Sequence, residues 1–279
     1  MTSRALALFL FGFLVVVGTT LVIHGFQARQ ELRELKSSER RAVQMLRELL
    51  VSQLSLVDSD VRYLANSYAV RNHLADPARF PRHRVAEEFA RFAETRRIYH
   101  QIRYIDASGQ EQVRVELEEE GPRLLTPDEL QNKADRYYFE EGSEMSAGEV
   151  YVSRFDLNVE NDELEWPPRP MIRFATPVFD AEGNRRGIVI LNYLGSRLLE
   201  TLGKGSIGLR GRPMLLNVDG YWLHGGPAAK NWGFMYPEAD NTRFGHLHPA
   251  VWETMSSSSR GQVVGRAGLF SFPGLCPPE

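Results

Sequence analysis

A stretch in the middle of the chain combines an arginine, several aromatic residues and polar side chains at short spacing. It reads DRYYFEEGSEMSAGEVYVSRFDLN from Asp135 to Asn158. Arg136 offers a planar fork of donors that suits a carboxylate, and aromatic rings supply the walls of a pocket. If VYVS is a strand, Tyr151 and Ser153 share one face of it. The stretch predicts a site for a small polar ligand, with these candidate residues: Arg136, Tyr138, Phe139, Tyr151, Ser153, Asp156 and Asn158.

The same residues also fit ordinary packing. In that interpretation the aromatic residues at 137–139 are core, and Arg136 forms a structural ion pair with Asp135, Glu140 or Asp156. In the ligand-binding interpretation, Asp156 opposite Arg136 suits a zwitterion or an amine better than a plain dicarboxylate. The sequence leaves both interpretations open.

Other motifs are weak signals for catalysis or cofactor binding. GKGSIG at 203–208 has the letters of a dinucleotide-binding loop, but a helix-like segment precedes it and a strand-like segment follows, which is the inverted order. His246 and His248 lack nameable third and fourth metal ligands. The acidic runs at 116–120 and 160–165 are predicted to be solvated loops rather than paired catalytic carboxylates. We therefore expect no cofactor, no metal site and no catalytic residues.

Composition indicates a folded protein that does not bind nucleic acid. The 279 residues are 43% hydrophobic and 25% charged, and 36 acidic against 33 basic residues give a net charge of -3. Such a balance has no basic excess for phosphates. The only cysteine, Cys276, excludes an internal disulfide.

The N-terminus predicts a membrane anchor at residues 1–25. ALALFLFGFLVVVGTTLVI, from Ala5 to Ile23, contains no charged residue and is long enough to span a bilayer as a helix. A cleaved signal peptide is the alternative, but the apolar stretch is longer than usual and no A-x-A-like site follows it. The basic residues that flank the segment do not decide its orientation.

A long helix is predicted after the anchor, over 26–76. Apolar residues recur there at steps of three and four, and no proline or glycine interrupts the run. We expect it to lead out of the bilayer and to form a parallel homodimer, with Leu46 and Leu50 as interface positions. The alternative is that the part after Val43 is the core helix of a globular domain.

Three strand pairs with tight turns follow the long helix. They are YHQIRYID with EQVRVELE, MIRFATPVFD with RRGIVILNYL, and the two halves of PMLLNVDGYWLHG. Asp and Gly lie where tight turns require them. A helix-like segment, GSRLLETLGKG, separates the second pair from the third. The predicted fold class is α+β, with antiparallel-sheet modules at 77–202 and 203–279.

Four segments in this order resemble the double Cache sensor domains of bacterial histidine kinases, diguanylate cyclases and chemoreceptors. They are DRYYFEEG, GEVYVSRFDLN, RPMIRFATPVFDAEGNRRGIVILNYLGSRLL and LLNVDGYWL. The resemblance implies two PAS-like modules, a ligand pocket in the membrane-distal one, and a location in the periplasm, anchored to the inner membrane. It implies a ligand-sensing module rather than an enzyme. A membrane-tethered periplasmic hydrolase and a module that binds a partner protein are the alternatives.

The sequence departs from that family pattern in two places. It stops at GLFSFPGLCPPE, where family members usually continue into a second membrane helix and an output domain, so we expect a shortened second module without that output domain. The amino-acid-binding members resemble one another in having Tyr five residues before the arginine and Trp-Tyr after it. Here those positions are Gln131, Tyr138 and Phe139.

Overall fold

The computed structural model describes residues 2–160, 163–227, 231–236, 243–258 and 260–273. Cys276 therefore lies outside the described residues. The fold is α+β, as the sequence predicts, with one long N-terminal helix followed by antiparallel sheets.

Helix α1 is a single helix of 64 residues, Thr2–Ala65. Its large apolar side chains between Leu8 and Phe26 are all exposed; Leu8, for example, is 73% exposed. In the described part of the chain, this is the one helix long and apolar enough to cross a membrane. Exposure of so large an apolar surface to water is unfavourable, so the segment suits the interior of a bilayer.

The later part of α1 has one face in the main hydrophobic core. Leu46, Leu50, Val57, Val61 and Leu64 are buried there. The interpretation of this part as a core helix is therefore confirmed for that face. The choice of Leu46 and Leu50 as dimer positions is wrong, because these side chains are only 7% and 4% exposed.

A second apolar row on α1 faces outward. Met45, Leu49, Leu56 and Tyr63 are between 43% and 59% exposed and, with Ser52 and Ser59, recur at steps of four and three residues. We call these six residues the exposed stripe. This spacing is that of the seam of a left-handed coiled coil.

The long helix ends earlier than predicted. It stops at Ala65, and Ser67 caps a new helix, α2 (Tyr68–Ala75), by accepting a hydrogen bond from the Val70 amide. Serine is a favoured N-cap because its hydroxyl satisfies one of the free amides of the first turn. A third helix, α3 (Arg82–Arg96), packs on the sheet that follows.

The sheet has seven antiparallel strands and contains both long predicted hairpins. The order is β3-β2-β1-β9-β8-β4, with β5 also paired to β8. A two-stranded hairpin, β6 and β7, and a helix, α4, lie in the connection between β3 and β8. The bounds are β1 Tyr99–Asp106, β2 Glu111–Leu117, β3 Pro122–Leu124, α4 Tyr137–Glu144, β4 Tyr151–Val152, β5 Asp156–Leu157, β6 Val159–Glu160, β7 Glu163–Leu164, β8 Pro170–Phe179 and β9 Arg185–Leu194.

The two faces of this sheet differ in chemistry. Side chains alternate along a strand, so Ile102 and Tyr104 of β1 point toward α1 and α3, as do Phe174 of β8 and Leu191 of β9. The other face is apolar under α4 and polar beyond it. The close approach of α4 depends on Gly142, where an added Cβ would lie 3.0 Å from the Cβ of Ala175.

A smaller group of elements follows β9 and contacts α1. They are α5 Gly195–Gly205, β10 Leu215–Leu216, β11 Trp222–His224, α6 Phe244–Leu247, α7 Pro249–Ser257, β12 Arg260–Gly265 and β13 Gly268–Pro273. The third predicted strand pair is confirmed as β10 with β11. Gln262 of β12 donates its Nε2 to the Lys36 carbonyl of α1 at 2.7 Å. Leu202 and Leu215 both belong to the main core, so packing continues across the predicted boundary; the division into two modules stays a prediction.

Candidate functional site

A row of polar side chains crosses four adjacent strands on the face opposite α1. The register pairs Glu116 of β2 with Gln101 of β1, Gln101 with Asn192 of β9, and Asn192 with Arg173 of β8. Arg103 and Arg114 pair in the neighbouring row. Because each strand alternates, apolar residues between these positions face α1. We call this region, with the loop residues that cover it, the polar face.

Arg103 is the centre of the polar face and is 1% exposed. It donates to Asn192 Oδ1 at 2.8 Å, and to Glu111 Oε1 and the Tyr138 hydroxyl, both at 3.3 Å. Asn192 in turn donates to Gln101 Oε1 at 2.9 Å. Burial alone would lower the pKa of Arg103, but Tyr138 and Glu111 raise it above its usual value, so the buried cation is retained.

Arg173 forms a second ion pair in the polar face. Its guanidinium donates to Asp156 Oδ1 at 2.6 Å and to Asn158 Oδ1 at 3.1 Å. The Tyr137 hydroxyl donates to the other oxygen of Asp156, also at 2.6 Å. The centroid of the Tyr138 ring lies 5.0 Å from the Arg173 guanidinium carbon and 5.3 Å from that of Arg103, so both cations lie over the same aromatic ring.

Arg114 joins the polar face to the β6–β7 hairpin. It contacts Glu116 Oε1 at 2.5 Å and Glu160 Oε1 at 3.2 Å. Gln101 Nε2 donates to the same two carboxylates, at 3.0 and 3.1 Å. Burial raises the pKa of Glu160, but the Arg114 charge and the Gln101 hydrogen bond lower it by more, so the pKa falls to about 2. Glu160 is therefore ionised at neutral pH.

The polar face is close to electroneutral but leaves hydrogen-bonding groups unused. Its four cations are balanced by four carboxylates: Arg103, Arg114, Lys133 and Arg173 against Glu111, Glu116, Asp156 and Glu160. The Nε atoms of all three arginines and Oε2 of Glu160 are buried without a hydrogen-bond partner. Buried polar atoms are nearly always bonded in folded proteins, so these atoms are available to a polar partner such as a ligand or water.

An open concavity of about 400 Å³ lies against one end of the polar face. Arg114, Glu116, Arg123, Gln131 and Glu160 are among the residues that line it. Its volume lies in the range of small-molecule sites. It therefore gives a small solute access to Arg114 and Glu160 from the solvent.

The seven predicted site residues divide between the polar face, the apolar cluster under α4, to which Tyr138 also belongs, and the start of α4. Tyr138, Ser153, Asp156 and Asn158 belong to the polar face, where Ser153 Oγ accepts the Arg173 amide at 2.9 Å. The others lie elsewhere: Phe139 and Tyr151 pack in the apolar cluster under α4, and Arg136 lies half-buried just before α4. Ligand binding by these residues stays a prediction.

Sequence reasoning missed the arginines that dominate the polar face. Asp156 forms its ion pair with Arg173, and not with Arg136 as the sequence suggested. A signal was available, because QIRYID, QVRVEL, MIRFAT and VILNYL each place an arginine or asparagine inside a strand that is otherwise largely apolar. The prediction that both acidic runs are solvated is wrong for Glu116 and Glu160, whose side chains are 14% and 23% exposed. Asn161 and Asp162 lie outside the described residues.

His100 lies at the edge of the polar face, 9% exposed. Its Nδ1 is 2.7 Å from Arg169 Nη1, which can only donate, so the ring nitrogen accepts. Burial, together with the Arg169 charge, lowers the pKa of His100 to about 4. The imidazole is therefore neutral at neutral pH.

His248 of the HLHP segment, which the sequence left without further metal ligands, has a packing role in the structure. Its ring packs at a tilt against Phe244 and Phe270, at ring-centroid distances of 4.8 and 5.1 Å. Across the described ranges, no group of three or more His, Cys, Asp or Glu side chains could hold a metal ion.

Comparison with known proteins gives one family match. The family model described as "Bacterial histidine kinase, sensor domain" matches residues 28–274. No protein of curated function matches.

Solved sensor domains have the same fold at low sequence identity. The domain of a putative sensory box/GGDEF family protein from Vibrio parahaemolyticus has a TM-score of 0.73 at 18% identity, with 83% of this chain and 86% of that chain covered. The extracellular domain of the putative histidine kinase vpHK1S-Z8 has a TM-score of 0.71 at 19% identity, with 84% of each chain covered. The sensory domain of the Campylobacter jejuni chemoreceptor Tlp3 with isoleucine bound has a TM-score of 0.53 at 11% identity, with 80% of this chain and 81% of that chain covered.

Proposed function

Because the chain belongs to the family of bacterial histidine kinase sensor domains, we propose that it senses a small polar ligand at the polar face of its seven-stranded sheet. The observation that carries this proposal is the set of buried, ionised groups with unused hydrogen-bonding atoms. A structural ion-pair network gains nothing from such atoms, because each one loses its hydration without replacement. A ligand would supply the missing partners.

The chemistry of the polar face favours a ligand that contains a carboxylate. The unused atoms of Arg103, Arg114 and Arg173 are all donors. The chemoreceptor Tlp3 is a structural neighbour crystallised with isoleucine, which has both a carboxylate and an amine. For this chain the Asp156 carboxylate would accept the amine of such a zwitterion. Arg136, Tyr138, Ser153 and Asn158 remain the predicted contacts around it.

We place the sensing module outside the cytoplasmic membrane, held by the first part of α1. Support comes from the exposed apolar residues of α1 and from the extracellular domain of the kinase vpHK1S-Z8 among the structural neighbours. An output domain would lie on the cytoplasmic side of the receptor that this module serves.

The exposed stripe of α1 supports a parallel homodimer. A membrane anchor holds two copies side by side with the same residues at the same height. Residues of the exposed stripe, spaced alternately by four and three, can then pack against the same residues of the second copy. The interface residues would be Met45, Leu49, Leu56 and Tyr63, which replace the buried Leu46 and Leu50.

The sensing proposal is tested with the full chain in lipid nanodiscs. Thermal unfolding is followed against a panel of amino acids, carboxylates, amines and neutral metabolites, with ester and glycoside substrates in parallel. A saturable rise in melting temperature with one chemical class, and no turnover, is the expected result. Turnover without saturable stabilisation would favour a hydrolase and contradict the proposal.

A further inference from the structure

The Glu160 carboxylate is enclosed by donors in the way a bound ligand is. Its Oε1 accepts from Gln101 Nε2 at 3.1 Å and from Arg114 Nη2 at 3.2 Å. Lys133 Nζ, which is 3% exposed, lies 3.7 Å from its Oε2. Three donor side chains from two strands and a loop therefore converge on one carboxylate.

Glu160 reaches this position from outside the sheet. It lies on β6, which pairs only with β7 in the described residues, whereas Gln101 and Arg114 lie on central strands. Its carboxylate is also imperfectly bound, because Oε2 is buried and has no hydrogen bond. A carboxylate with fewer steric restraints can satisfy the same donors better.

The concavity of about 400 Å³ opens at the same place. Of the three donors, Arg114 lines it together with Glu160, so a small solute in the concavity lies next to one donor and to the carboxylate that occupies it. The Glu160 side chain is 23% exposed and already borders solvent. Its carboxylate can turn into water, provided that another carboxylate takes its place beside the buried cations Arg114 and Lys133.

We propose that Glu160 is an internal competitor for a small carboxylate ligand, and that such a ligand displaces it from Gln101, Arg114 and Lys133. The inference rests on the proposed sensing function and specifies the regulation of that site. Exchange of one carboxylate for another keeps four negative charges against four positive ones. Glu160 thereby sets the ligand concentration at which the sensor responds, because the open form is only a fraction of the population.

The test compares two single variants of the full chain in nanodiscs. Glu160→Ala removes the internal carboxylate, and Glu163→Ala removes an exposed carboxylate of the paired strand β7 and is the matched control. Acetate, which replaces the deleted side-chain carboxylate, and succinate are titrated at constant pH and ionic strength.

Acetate is expected to restore the melting temperature that Glu160→Ala loses, while wild type and Glu163→Ala do not respond to it. Succinate is expected to bind Glu160→Ala at least about tenfold more tightly than wild type, because no tethered carboxylate has to leave first. Equal succinate affinities, or no rescue by acetate, would overturn the inference.

Glu160→Gln covers the case in which the alanine variant does not fold. It keeps the size of the side chain and removes the charge, so it competes less well for Arg114, and succinate is expected to bind it more tightly than wild type. Unchanged affinity overturns the inference here too. If wild type still binds another compound of the panel saturably, the sensing function survives; if no compound binds any variant, both fail.

Discussion

Asp156 shows why single residues of the polar face resist substitution. Its two oxygens are occupied by Arg173 and by Tyr137, and the carboxylate is almost fully buried. Removal of one partner from a buried ion pair leaves the other charge without compensation, which is more damaging than loss of the attraction itself.

Arg173→Ala is therefore expected to lower the free energy of unfolding by about 3–5 kcal/mol. Chemical unfolding followed by tryptophan fluorescence would measure it. Arg197→Ala is the matched control, because Arg197 is exposed and its ion pair with Glu200 is exposed too. Similar losses in the two variants would contradict a structural role for the Arg173–Asp156 pair.

Arg136→Ala is expected to separate binding from stability. Arg136 is half-buried at the start of α4 and is the predicted ligand partner, so its loss should weaken ligand binding by about 2 kcal/mol without unfolding the domain. Titration calorimetry with the ligand identified in the screen, together with the melting temperature, checks both parts. An equal loss of stability with unchanged affinity would show that the residue is structural.

His100 predicts a loss of stability in mild acid. Its pKa is lowered to about 4 in the folded protein, against about 6.5 for an unperturbed histidine, so between these values the unfolded chain binds the proton preferentially. The contribution of the neutral ring is fully present above pH 6.5 and is lost as the pH falls to 4, by about 3 kcal/mol.

His100→Gln should flatten this part of the stability curve. Unfolding free energies at pH 7 and pH 4.5 are compared for the variant and wild type, with His83→Gln, in the exposed first turn of α3, as the control. Equal slopes for His100→Gln and wild type would contradict the assignment.

At the scale of elements, α1 contacts the sheet through a buried polar junction as well as through its apolar face. Asp60 of α1 is 4% exposed, and it accepts the Tyr99 hydroxyl at 2.6 Å and Arg96 Nη2 at 2.5 Å. Tyr99 begins β1, two residues before Gln101 of the polar face. The junction therefore connects the long helix to a strand that forms the candidate site.

Tyr99→Phe is expected to destabilise the protein by about 1–3 kcal/mol, since it leaves a buried Asp60 oxygen without its donor. The melting temperature and chemical unfolding measure the loss. Tyr68→Phe, with an exposed ring at the start of α2, should change neither. If Tyr99→Phe is as stable as wild type, a water molecule has replaced the phenol hydroxyl as the donor to Asp60.

The exposed stripe makes its own prediction at this scale. In a background with Cys276 replaced by serine, single cysteines at Leu49 or Leu56 should form disulfide-linked dimers in membranes, because these positions face outward. Leu50→Cys, buried in the core, should not. Cross-links at Leu50 alone, or at none of the three positions, would contradict the parallel dimer.

For the whole molecule, membrane topology is the prediction with the widest consequence. A reporter that is active only in the periplasm, fused after Glu279, is expected to be active, because α1 is the one candidate span in the described chain. A cytoplasmic reporter at the same position should be silent. The reverse result would remove the basis for extracytoplasmic sensing.

The sequence predicted the elements of this molecule better than its site. The hairpins joined by ASGQ and AEGN were predictable because turn chemistry and strand alternation are local. The pairing of Arg173 with Asp156 was not, because it depends on how β5 docks on β8, and Arg136 is nearer in sequence to the aromatic cluster. Likewise, Glu160 resembled a solvated loop residue until the fold brought Arg114 to it.

Helix α1 runs without interruption from the apolar N-terminal segment to the sheet. Between Phe26 and Ala65 the helix contains no proline or glycine, and its hydrogen-bonded rise of about 1.5 Å per residue hardly stretches. Asp60 of α1 accepts a hydrogen bond from Tyr99 of β1, and the Lys36 carbonyl of α1 accepts one from Gln262 of β12. Both parts of the fold are therefore bonded to the same helix. An axial displacement of α1 at Asp60 would therefore be carried along the helix toward its apolar N-terminal segment, about 50 Å away.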